Sequence, residues 1–202
     1  YEHYKTLIEP IIGSVNNRFK FPYNIPVEVN SCGNNRSYVA YTLINVERVL
    51  KVVLCTEISD IIGNIDNIDV KRAYTKYVIY HELGHVMLKI TDTITGSREE
   101  SLADDFAFYM LVRENEDVDV LLALYKELAR LEKEGTIDAI NPSDPHLNYQ
   151  QVYYDLSCLA HGADIGSTYI DIGKRDSDEC KVKWYEVSNG WSKVLTLWTK
   201  SI

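Results

Sequence analysis

Apolar residues first recur along the chain at helical spacing. Tyr4, Leu7, Ile8, Ile11, Ile12, Val15 and Phe19 share one face of a helix over 4–19, despite Pro10 and Gly13. Pro22 and Pro26 end that character. Three β-branched and aromatic runs follow at 25–29, 38–44 and 49–55, split by the turn-forming Cys32-Gly33-Asn34-Asn35 and by a short polar connection. They predict a small, mostly antiparallel sheet. From Asp69, the expected N-cap, the pattern turns helical and predicts helices at 70–90, 98–113, 118–134, 147–161 and 178–199. The clearest loops are 135–145, with Asn141-Pro142-Ser143-Asp144-Pro145, and 162–176. No internal repeat interrupts this order. A sheet followed by a run of helices predicts one α+β domain over 1–202.

Composition narrows the class. At 202 residues, 46% hydrophobic and 25% charged, the chain can bury a sizeable core as a single globular domain. Its 21 Lys and Arg against 30 Asp and Glu give a net charge of −9, with no basic cluster, which argues against a nucleic-acid partner. The longest apolar runs, such as 49–55, are too short to cross a bilayer, so no integral membrane segment is expected. Oligomeric state is not legible. The four cysteines show no C-x-x-C spacing. Local pairing, Cys32 with Cys55 and Cys158 with Cys180, is favoured over four unrelated buried thiols, and it implies an oxidising compartment. A secreted or periplasmic location follows as an expectation, with a targeting segment removed ahead of Tyr1.

The sharpest chemical signal is His81-Glu82-Leu83-Gly84-His85 within the predicted helix 70–90. Residues four apart share a helix face, so His81 and His85 can converge on one ion while Glu82, about 100° round, reaches its open side. The division of labour is two imidazole ligands for Zn²⁺ and a carboxylate general base. The bland alternative is two histidines of an ordinary helix. Against it stand the apolar Val70, Ala73, Tyr77, Val78, Leu83, Val86, Met87 and Ile90, which predict a buried helix, and Gly84, which lets a neighbour approach closely.

A catalytic zinc takes three protein ligands and keeps a fourth position for water. The extended metzincin pattern is absent, because Leu88 and Thr91 stand where it needs Gly and a third His. Downstream, Glu100 and Asp104 lie one turn apart in a predicted helix. That spacing lets Glu100 bind the ion while Asp104 accepts a hydrogen bond from the far nitrogen of a ligating histidine. These acids also suit a helix N-terminus, and for Glu99 that role stands on equal footing.

His81-Glu82-Leu83-Gly84-His85 followed by Glu100-Ser101-Leu102-Ala103-Asp104 resembles the gluzincins, thermolysin-like zinc metallopeptidases. More closely, the chain is similar to a bacterial family known as putative metallopeptidases. That similarity takes in Cys32-Gly33, Leu54-Cys55, Arg98 through Asp104, Asp144-Pro145-His146, Tyr154 to Cys158 with Gly162, and Cys180 to Trp191, most of the chain. The resemblance implies a zincin-like domain with His81, His85 and Glu100 as zinc ligands and Glu82 as general base. It also implies Asp104 as the partner of His81.

Peptide hydrolysis also needs a donor to the oxyanion. His146, just before a predicted helix, resembles the thermolysin-like segment that carries one; Tyr153, Tyr154 and His161 are alternatives, and a loop or cap histidine is the plain one. His3 reads as solvated. Trp184, Trp191 and Trp198, seven apart, read as packing on one helix face. The expected function is therefore a zinc peptidase acting on a peptide or protein substrate, with a sheet edge able to bind extended backbone. The alternatives are a zincin-like interaction module that holds zinc without turnover and, most weakly, a protein whose zinc is structural.

Overall fold

The computed structural model describes residues 2–22, 24–32, 40–44, 50–56, 67–93, 95–116, 118–135, 148–166 and 170–200. Its elements run α1 (Glu2–Arg18), β1 (Val27–Asn30), β2 (Ala40–Ile44), β3 (Leu50–Cys55), α2 (Ile68–Ile90), a 3₁₀ turn (Gly96–Arg98), α3 (Glu99–Arg113), α4 (Val118–Lys133), α5 (Tyr149–Gly162) and α6 (Ser177–Trp198). The fold is α+β, and the described helices match the sequence periodicity to within about two residues. Helix α1 continues through Pro10, which lies on its exposed side, while Ile8, Ile11 and Val15 face the core.

The sheet departs from expectation. Its order is β1-β3-β2, with β1 parallel and β2 antiparallel to the central β3, so the pairing is mixed and not mostly antiparallel. Chain neighbours β1 and β2 occupy opposite edges. The Cys32–Cys55 disulfide, with its Cα atoms 5.4 Å apart, joins the chain just beyond β1 to the last residue of β3. The two strands therefore end on the same side, as parallel strands do. Cys158 and Cys180 form the second bridge, between α5 and α6, so both bridges follow the local pairing. Among the described residues no helix is long and apolar enough to cross a membrane.

Helix α2 is the central element. Every residue from Ala73 to Leu88 except Lys76 is buried, because the helix has the sheet, α1, α3 and α4 packed around it. Its N-cap is Asn67 and not Asp69: the Asn67 side chain accepts the Asp69 backbone N–H at 2.8 Å, two residues earlier than the charge pattern suggested. The far end of α3 is anchored by Glu114, which accepts from Arg18 of α1 and from Tyr80 and Lys76 of α2. On α6, Trp191 packs edge-on against Phe106 with centroids 4.7 Å apart, and Trp184 and Trp198 lie against the same core.

Helices α2 and α3 come into close contact at Gly84. A Cβ placed there would meet the Ala103 Cα at 2.8 Å, a distance that only backbone movement can relieve. Gly13, also helical, has open space around the same position. Gly84→Ala is therefore expected to destabilise the protein by about 1–3 kcal/mol. Gly13→Ala should be neutral or stabilising, by up to about 1 kcal/mol. Urea unfolding of the two variants checks this; equal effects would show that the α2–α3 approach is not tight.

Candidate metal centre

Four residues of α2 at intervals of four, Tyr77, His81, His85 and Lys89, form a stripe facing the first turns of α3. The helices run antiparallel, so the stripe meets Asp104, Glu100 and Glu99 in turn. Tyr77 Oη donates to Asp104 Oδ1 at 2.5 Å, and His81 Nδ1 lies 2.7 Å from the same oxygen. Glu100 Oε2 sits between the rings, 3.2 Å from His81 Nε2 and 3.4 Å from His85 Nε2. His85 Nδ1 is 3.1 Å from Glu99 Oε1, whose other oxygen accepts from Lys89 Nζ at 3.0 Å and from Thr95 Oγ1 at 3.2 Å.

In a neutral ring, a proton on Nδ1 serves Asp104 at His81 and Glu99 at His85, and the lone pair is then left on Nε2. The two Nε2 atoms are 3.1 Å apart, and both look at Glu100 Oε2. Three electron-pair donors thus converge in a buried place, an arrangement that repels itself unless positive charge lies among them. The donor separations of 3.1, 3.2 and 3.4 Å are close to the edge of about 3.3 Å expected for a tetrahedral ion with bonds near 2.0–2.1 Å. His81, His85 and Glu100 could therefore hold a metal ion.

The titration behaviour expresses the same demand. Burial pulls the His81 imidazole down, but Asp104 and Glu100 outweigh it and hold the ring well above the ordinary histidine range. Burial also lowers His85, and Glu100 overcomes it to leave a raised value. Glu100 is the mirror image: burial would raise its carboxyl, yet the two imidazoles hold it far below the usual carboxylate range. Asp105, beside Asp104 in sequence, faces away towards Lys183 of α6 at 3.3 Å, and burial pushes it up to about 6.

A cleft of about 170 Å³ opens on the centre, lined by Ala40, Tyr41 and Thr42 of β2 and by Glu82, His85, Lys89, Glu99 and Glu100. Glu82 therefore faces the same space as two of the convergent donors, His85 and Glu100. The motif did not point to Thr42, whose hydroxyl is 2.8 Å from Glu82 Oε2. Tyr77 was also missed as a site residue, although its place one turn before His81 on the same face was a usable signal. Glu99, left open between a helix-terminus role and a site role, lies against His85. His161 instead reaches Ser177 Oγ at 2.7 Å, joining the end of α5 to the start of α6. Tyr153 and Tyr154 pack against each other with centroids 5.4 Å apart, and none of these three lines the cleft. His146 and the side chain of His3 lie outside the described residues.

A protein-family model described as putative metallopeptidase matches residues 3–195. No curated protein and no solved structure matches the chain.

The metal-free centre has a defined pH signature. Histidines with raised folded values add stability below their unfolded value of about 6.5, and this is lost as pH rises through the raised folded value. Glu100, with its lowered value, adds stability above 4.5 that is lost as pH falls through the folded value. Both describe one set of ion pairs. With a chelator present, the site's contribution should be greatest between about pH 4.5 and 6.5 and decline towards alkaline pH. Thermal unfolding across pH of the wild type against His81→Ala checks this; a difference that keeps growing above about pH 6.5 would contradict it.

Proposed function

The chain belongs to the family described as putative metallopeptidase, and from that premise we propose that it is a zinc-dependent peptidase. In this reading His81, His85 and Glu100 are the ligands and Glu82 is the general base. The observation that carries it is the convergence of His81 Nε2, His85 Nε2 and Glu100 Oε2 within 3.4 Å of one another, beside a cleft that Glu82 also lines. Two imidazoles and one carboxylate suit zinc, and three protein donors leave a position open, as catalytic sites do and structural sites do not. When bound there, zinc lowers the pKa of a water ligand to about 7 and polarises a substrate carbonyl.

The protein's own groups carry the rest. Asp104 and Glu99 hold the Nδ1 protons of His81 and His85, so both Nε2 lone pairs stay turned to one point. The Glu82 carboxylate takes a proton from the attacking water and passes it to the leaving amine. The β2 edge away from β3 has no strand partner among the described residues and forms one wall of the cleft. Extended substrate backbone would lie along it. His146 keeps the oxyanion-donor role that the gluzincin resemblance gives it. Two disulfides are compatible with an extracellular or periplasmic protein, where peptide and protein substrates would be met.

Two measurements test this. The purified chain should bind about one Zn²⁺ tightly, and Glu100→Ala should weaken that binding by about tenfold or more. Glu82→Gln should keep the zinc and lose about 10²–10⁴-fold in kcat. Tight zinc with no cleavage of a broad peptide library would favour an interaction module without turnover. A chain that binds no zinc sinks both readings.

A further inference from the structure

The residues given roles in hydrolysis by the motif sit on the helical wall of the cleft, whereas the opposite wall is β2. Its Thr42 hydroxyl lies 2.8 Å from Glu82 Oε2 and 3.1 Å from the Glu82 carbonyl oxygen. Glu82 is 3% exposed, and among the described residues Thr42 is the side chain that donates to its carboxylate. Thr42 is itself well fixed. It stands opposite Val52 in the β2–β3 ladder, and cross-strand partners point to the same face of a sheet. Val52 is buried in the core shared with α2, so the same register turns Thr42 towards that helix.

A buried carboxylate next to two imidazoles has an evident alternative to serving as a base. It can swing into the donor cluster and occupy the position a water needs. The cluster that could hold an ion contains His81, His85 and Glu100, while the Glu82 carboxylate is hydrogen-bonded towards the strand. We propose that Thr42 is a positioning residue, whose hydroxyl holds the Glu82 carboxylate against β2, beside the donor cluster and out of it. Its consequence for turnover rests on the peptidase reading; the hold itself does not. A hydroxyl donating to an ionised oxygen makes a stronger hydrogen bond than a neutral pair. The hydroxyl has one proton for two acceptors on Glu82, and the carboxylate oxygen is the nearer, at 2.8 Å against 3.1 Å for the carbonyl oxygen.

The test uses Thr42→Val, which keeps the branched shape without the donor, and Thr42→Ser, which keeps the donor. In the zinc-loaded chain Thr42→Val should retain zinc and peptide KM but lose about tenfold to a hundredfold in kcat, and Thr42→Ser should recover most of it. A second readout needs no activity. In the metal-free chain, a urea-unfolding double-mutant cycle between Thr42→Val and Glu82→Ala should give a coupling of about tenfold in the unfolding constant. Additive effects in that cycle overturn the proposal, as does a Thr42→Ser variant as slow as Thr42→Val. If the coupling is found but the wild type cleaves no peptide, the hold stands and the peptidase reading falls. If the wild type cleaves and Thr42→Val is equally fast, the peptidase reading stands and the positioning role falls.

Discussion

Where Gly84 faces Ala103, a Cβ on the glycine would lie 2.8 Å from the Cα of the opposing helix, so α2 and α3 approach there to a separation that a side chain would forbid. That contact sets the register of every pairing above and below it. His81 and His85 flank Gly84 on one helix, and Glu100 and Asp104 flank Ala103 on the other. Spreading the helices by a few tenths of an ångström would lengthen all of those contacts together, because each depends on the same interaxial distance. Glycine is a poor helix former, costing about 1 kcal/mol relative to alanine. Its place in the most buried helix is a local sacrifice that the close approach requires.

The second constraint is electrostatic. The paired helices bring three carboxylates, Glu99, Glu100 and Asp104, to a stripe of Tyr77, His81, His85 and Lys89. Uncompensated, buried acids would be neutralised, since desolvation of a charge costs several kcal/mol. Tyr77 and Lys89 supply a hydrogen-bond donor and a cation at the two ends of the stripe. The middle is left to the imidazoles, which satisfy the acids either by taking up protons or by sharing a metal ion. Raised histidine values and convergent lone pairs are two expressions of one field. Protons and a metal ion would therefore compete for the same position, and acid conditions would weaken the binding of such an ion.

Much of this was legible because it is local. The 3.6-residue period located the helices, the i, i+4 spacing put His81 and His85 on one face, and the same spacing put Glu100 one turn before Asp104. The two local cysteine pairings followed from the short excursions they close. What escaped was non-local. Nothing in Ala40-Tyr41-Thr42 says that this strand lies at a sheet edge over residue 82, because that depends on the order β1-β3-β2, which alternation along a strand does not encode. The parallel pairing of β1 escaped for the same reason. Glu99 was ambiguous because an acid in the first turn of a helix is satisfied by the helix itself; its contacts with His85 and Lys89 depend on where α2 lies across the gap.

The connectivity attaches the two walls of the cleft in different ways. The donors His81, His85 and Glu100 lie on helices that share the Gly84 contact and are joined again at the far end by Glu114, which reaches both α1 and α2. One disulfide closes within the sheet region and the other between α5 and α6, so neither ties the sheet to the helices. The sheet is held to α2 by apolar packing and, at the cleft, by the hydroxyl of Thr42 on Glu82.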